Sequence, residues 1–164
     1  MLLTAGCAAP GGARPAAPSA TAAPRPVAVE PPVNPTLQGA YDQALAALRD
    51  GRHKEAEQAL LTLTRKAPEL SGPYANLGLL YRRVGRNAEA IAAFEKAIEI
   101  NPRRAVYYNE LGISYRQEGK FDRARHNYRK ALDADPLYAP AHLNLAILHD
   151  LYLHEPQAAL SHYQ

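Results

Sequence analysis

Residues 71–104 read SGPYANLGLLYRRVGRNAEAIAAFEKAIEINPRR, and residues 105–138 read AVYYNELGISYRQEGKFDRARHNYRKALDADPLY. Laid over one another, they put Tyr74 on Tyr108, Leu77-Gly78 on Leu111-Gly112, Tyr81 on Tyr115, Ala90 on Ala124 and Pro102 on Pro136. The interval is 34 residues, and it runs upstream as well. Gly51, Gly85 and Gly119 form one series, Ala56, Ala90 and Ala124 a second, and Pro68, Pro102 and Pro136 a third. A fixed period of this length marks a solenoid, because one helical hairpin cannot bury its own apolar face and must stack on the next. The fold class expected is all-α, an α-solenoid of antiparallel hairpins. Three full repeats span 37–70, 71–104 and 105–138, with a partial fourth at 139–164. Such stacks present long concave surfaces and bind other chains.

The residue types explain the period. The eighth position of each unit is Ala44, Gly78, Gly112 or Ala146, always small. The alanine series continues to Ala159. These are the positions where two helices pass most closely. Glycine inside a helix costs about 0.5–1 kcal/mol relative to alanine, so Gly78 and Gly112 make sense only where close packing recovers more. Gly51, Gly85 and Gly119 suit helix ends closed by a left-handed residue. Asn101-Pro102 and Asp135-Pro136 end the second helices, since a residue before proline is pushed out of the helical region. Helices are expected near 37–50, 53–67, 71–84, 87–100, 105–118, 121–134 and 139–153, with a stub near 156–164. The fourth turn is one residue longer than the others.

These motifs resemble the tetratricopeptide repeat (TPR) family, whose hairpin runs aromatic, Leu-Gly, Tyr, Ala, Phe, Ala, Pro. The unit 71–104 carries Tyr74, Leu77-Gly78, Tyr81, Ala90, Phe94, Ala97 and Pro102, while 37–70 is degenerate. The resemblance implies a superhelix whose first helices line the concave face. A peptide-binding groove would then use Leu45, Asn76, Leu79, Arg82, Arg83, Asn109, Ile113, Arg116 and Leu143, with Leu48, Arg49, Gln117 and Asn144 also turned inward. Asn76, Asn109 and Asn144 would bond a peptide backbone, and the arginines would meet its carboxylates. Charge reversal of Arg82 and Arg116 together is expected to abolish capture without altering the fold. The heat-shock carboxylate clamp seen in some relatives is rejected, because Val106 and Glu110 stand where it needs cations.

The first 36 residues differ in kind. Met1 to Ala8 resembles the lipobox of bacterial lipoproteins, with Ala5 and Gly6 at the small positions before Cys7. That resemblance implies lipidation of Cys7 and, with Ala8 following, an outer-membrane lipoprotein facing the periplasm. Six residues cannot hold the charged and apolar parts of a signal peptide, so either an upstream start or a trimmed chain is expected. Residues 1–7 are read as the remnant of that leader. Residues 8–36 contain eight of the 14 prolines and only Arg14, Arg25 and Glu30 as charges, so they should form a disordered tether. Extended as polyproline II, the tether would span about 90 Å.

Several classes are set aside. Net charge is only +3, and the basic run from Arg103 to Lys130 lies mostly on an outer helix without aromatics projecting from the same surface, so no nucleic acid is expected. His142 and His149 lie seven residues apart on one helical face, about 10.5 Å along the axis, too far to share a metal ion. No catalytic triad, Walker loop or dinucleotide glycine loop is present; no cofactor and no enzyme activity are expected. Leu143, Ile147, Leu148 and Leu151 have little to cover them before Gln164. Residues beyond Gln164, a partner or self-association through another copy would do so. The leading function is a lipid-anchored protein-interaction scaffold, of the kind that assembles pilus secretins or serves envelope proteases. Two alternatives stand beside it: the docking arm of a larger enzyme, and a cytosolic adaptor in which Cys7 is incidental.

Overall fold

The computed structural model describes residues 34–163. The leader, Cys7 and all of the tether up to residue 33 lie outside the described residues. Residues 34–163 form helices joined by short turns, with no strand among the described residues. Helix α1 (Pro35–Arg49) pairs with α2 (His53–Lys66), α3 (Ser71–Arg83) with α4 (Asn87–Ile100), and α5 (Ala105–Gln117) with α6 (Phe121–Ala134). A last hairpin joins α7 (Ala139–Ile147) to α8 (Pro156–Tyr163) through a π-helical turn, Leu148–Tyr152. Helix α1 starts two residues before the expected position, because Pro35 fits the first turn and Asn34 Oδ1 accepts from Thr36 N at 2.8 Å.

The small-residue positions are the crossings. Ala44, Ala56, Ala90, Ala124, Ala146 and Ala159 are all buried. A Cβ on Gly78 would stand 2.7 Å from the Phe94 ring, and one on Gly112 would stand 2.6 Å from the Tyr128 ring. The core accordingly runs down the stack through Leu60, Leu77, Phe94, Leu111, Tyr128 and Leu145. Each helix packs on its successor, and α5 also touches α3 and α7, which sets the first helices side by side as one wall.

The hairpin turns repeat one geometry. Gly51, Gly85 and Gly119 have φ of 72°, 80° and 70°. The following amide then reaches back to close the helix: Arg52 N to Ala47 O at 2.9 Å, Arg86 N to Tyr81 O at 2.8 Å, Lys120 N to Tyr115 O at 2.9 Å. The last hairpin departs from this. Its small and alanine positions, Ala146 and Ala159, are 13 residues apart, against 12 for Gly112 and Ala124. The extra residue is absorbed by the π turn, where Leu153 N donates to Leu148 O at 3.0 Å. The expected continuous helix 139–153 therefore stops at Ile147, and the left-handed turn position falls on His154, at φ 54°.

Candidate functional site

A groove of about 1070 Å³ opens between α1 and α3, reaching Gln117 at the end of α5. Leu45 and Leu48 from α1 and Leu79 and Leu80 from α3 give it an apolar lining, and Asp42, Arg49, Asn76, Arg82 and Arg83 give it polar groups. The lining follows from helical spacing: Leu45, Leu48 and Arg49 share one face of α1, and Asn76, Leu79 and Arg83 one face of α3. Leu79 is 40% exposed, so apolar area there faces solvent rather than core. Five residues expected from the sequence, Leu45, Asn76, Leu79, Arg82 and Arg83, are thus brought together. Asn109, Ile113 and Arg116 on α5, and Leu143 on α7, lie further along the same row of helices, outside this groove's lining. Leu143 is exposed there, and Ile113 is half-buried against the core.

The polar groups are more occupied than their spacing suggests. Asn76 Nδ2 donates to the Tyr41 hydroxyl at 2.5 Å and to Gly72 O at 3.0 Å. Asn109 is only 2% exposed, and its Oδ1 accepts from Asn144 Nδ2 at 2.9 Å. Asn144 Oδ1 in turn accepts from Arg116 Nη1 at 3.3 Å. The expected asparagine row therefore ties the first repeat to the second and the third to the fourth. Asn109 in particular is sealed by the close approach of α5 to α7 and offers no surface to a peptide. Arg82 is likewise held from within: Nη1 donates to Glu110 O at 3.0 Å, and Nη2 pairs with the Glu110 carboxylate. Glu110, the residue that argued against a heat-shock clamp, is the partner sequence reasoning missed. Its only signal was an acid 28 residues after an arginine, which a 34-residue period does not highlight.

That leaves Arg49 and Arg83 as exposed cations on the groove, with no ion-pair partner among the described residues. Asp42, the acid in the lining, accepts from Gln38 Nε2 at 2.9 Å. The opening is a short apolar strip flanked by two unpaired guanidinium groups. It can hold the apolar side of a peptide and attract a carboxylate beside it, and it presents no nucleophile or acid–base pair. Among the described residues, no three His, Cys, Asp or Glu side chains are grouped to hold a metal ion, and no helix is long and apolar enough to cross a membrane.

Comparison with known proteins agrees with this architecture. Two tetratricopeptide repeat family models match residues 69–136 and 109–164. No curated protein matches the chain. A crystal structure of MamA is similar over 77% of this chain and 74% of its own, with a TM-score of 0.72 and 20% identity. MamA from Desulfovibrio magneticus RS-1 is similar over 77% and 71%, with a TM-score of 0.69 and 18% identity. An O-GlcNAc transferase mutant of Thermobaculum terrenum is 27% identical with a TM-score of 0.70, over 77% of this chain but 25% of the transferase. The MamA likenesses carry the fold, and the two family matches together run from residue 69 to 164, more than half the sequence. Residues 69–164 of the chain carry tetratricopeptide repeats, whose stacked hairpins serve as protein-interaction scaffolds.

Proposed function

We propose that the protein is a non-catalytic adaptor or assembly factor that holds a segment of another protein in the α1–α3 groove. The observation that carries this is the apolar strip of Leu45, Leu48 and Leu79 lying open between the unpaired guanidinium groups of Arg49 and Arg83. A short amphipathic segment with an acidic residue beside its apolar side chains complements both features. Arg49→Glu with Arg83→Glu should abolish partner capture in intact-cell crosslinking read by mass spectrometry, and circular dichroism should stay unchanged. Retained capture by the double variant would move the binding site elsewhere.

The setting proposed is a bacterial envelope, with the repeats tethered by residues 8–36 to a lipid on Cys7. Pilus or secretion-system assembly is the preferred role within it. The lipobox-like Ala5-Gly6-Cys7 and the proline-rich stretch behind it support the anchor, since a lipid-held domain needs a spacer. Radiolabelled palmitate should enter the protein and be lost in Cys7→Ser. Equal labelling of both, or labelling of neither, would remove the anchor and leave a cytosolic adaptor.

A second reading is favoured by one comparison: the similar part of the O-GlcNAc transferase chain is a quarter of a larger enzyme. On that reading the repeats are the docking arm of a longer catalytic chain. Sequencing the gene past the Gln164 codon decides it, because a stop soon after one closing helix would exclude the arm.

A further inference from the structure

The last hairpin gathers three histidines that the linear sequence keeps apart. His162, on α8, lies between His142 and His149 of the preceding helix and π turn: its ring centroid is 5.5 Å from that of His142 and 6.0 Å from that of His149. The His142 and His162 Nδ1 atoms are 3.2 Å apart, a hydrogen bond that needs one lone pair and one proton. The other nitrogen of His142 assigns them. His142 Nε2 lies 3.0 Å from the Pro136 carbonyl, which can only accept, so Nε2 carries the proton and Nδ1 the lone pair. His162 Nδ1–H is then the donor. Only a neutral His142 can accept it.

Little else fastens α8. Ala159 is its one fully buried side chain among the described residues, while Leu160 and Tyr163 are 58% and 52% exposed. Burial of one alanine gives α8 a small apolar footprint of its own, so its polar contacts add to the docking. We propose that His142 and His162 form a pH-operated latch that docks α8 at neutral pH and releases it on acidification.

The charges around the latch favour that direction. A proton added to His142 Nδ1 would set two N–H groups against each other across 3.2 Å. His149 is buried, and its Nδ1 lies 2.7 Å from Glu155 Oε2, so a proton on it keeps an anionic partner while adding positive charge beside His162. Arg129 of α6 adds a further cation. Burial first, and then His142, His149 and Arg129, hold the His162 imidazole below the ordinary histidine range. A base depressed in this way contributes full docking stability above the free histidine value of about 6.5, and loses it as pH falls through that value toward its own lower one. The left-handed His154, next to Glu155, marks where the chain would pivot. The latch lies in the α7–α8 hairpin, away from the α1–α3 groove, and does not depend on what the groove binds.

Hydrogen exchange of the intact chain between about pH 7.5 and 5.5, corrected for intrinsic rates, tests this across the histidine titration range. The expected result is loss of protection over 157–163 on acidification while α5 and α6 keep theirs. Protection over α8 that stays constant across the range would overturn the latch. His162→Phe keeps a planar ring but cannot titrate, so its α8 should lose the pH dependence; a wild-type profile in this variant would also overturn it. Should His162→Phe fail to dock at any pH, NMR titration of the wild-type His162 ring decides alone: a midpoint at or above that of a free histidine would refute the proposal, and one below would support it.

Discussion

The guanidinium of Arg82, near the end of α3, reaches across to the next hairpin and binds Glu110 of α5 twice, once at the backbone carbonyl (3.0 Å) and once at the carboxylate. Both side chains are 17% exposed, so neither is a free surface charge. Truncating Arg82 would leave a half-buried carboxylate without its partner, which costs about 1–3 kcal/mol. Arg82→Met should lower the urea midpoint accordingly, while Arg83→Met, on the exposed side of the same turn, should stay within about 0.5 kcal/mol. Equal effects from the two would show that the pair contributes nothing. The same geometry corrects the expectation that Arg82 can be reversed without harm: Arg82→Glu sets two carboxylates together and should unfold more readily.

The crossings at Gly78 and Gly112 set the spacing of the stack. An added methyl at either would meet the Phe94 or Tyr128 ring well inside contact distance. Gly78→Ala and Gly112→Ala should therefore destabilise by about 1–3 kcal/mol despite alanine's better helix propensity. Phe94→Leu in the Gly78→Ala background should recover part of the loss. Thermal melts of the three variants check this, and a stabilised Gly78→Ala would mean the crossing has slack.

Tyr128 stands one repeat on from Phe94 and is just as buried, yet its hydroxyl has no hydrogen-bond partner among the described residues. Burial pushes its phenol up to about 12. Burial likewise raises Tyr81, Tyr108, Tyr115 and Tyr138. The folded state thus prefers neutral phenols. Its stability is complete below the free tyrosine value of about 10 and falls as pH rises through it, because the unfolded chain ionises first. Tyr128→Phe should shift this alkaline loss to higher pH. It should also add about 1 kcal/mol at neutral pH by removing an unpartnered hydroxyl. Denaturant titrations at pH about 7 and about 11 give both numbers. An unchanged alkaline limb would assign the loss to the other tyrosines.

His154 occupies the left-handed position that Gly51, Gly85 and Gly119 fill in the earlier hairpins. A residue with a Cβ pays about 1–2 kcal/mol there, partly offset by the greater freedom of glycine in the unfolded chain. His154→Gly should stabilise the last hairpin by about 0.5–1 kcal/mol, seen as slower hydrogen exchange over α8. Faster exchange would indicate that the histidine side chain makes a contact worth more than its strain.

The sequence alone determined the stack of hairpins, the small-residue crossings and the left-handed glycine turns. Each of these is a local requirement that recurs with the repeat, so Gly78, Ala90 and Gly85 announce themselves by period and by residue type. Tertiary structure decided which polar side chains remain available. Arg82 meets Glu110 28 residues on, and Asn144 seals Asn109 from 35 residues away, offsets set by how far one hairpin rotates against the next. Helical spacing sets His142 and His149 two turns apart, but only the folding back of α8 places His162 between them. A repeat period encodes contacts that every unit shares; contacts made once, across a turn lengthened by a single residue, leave no periodic trace.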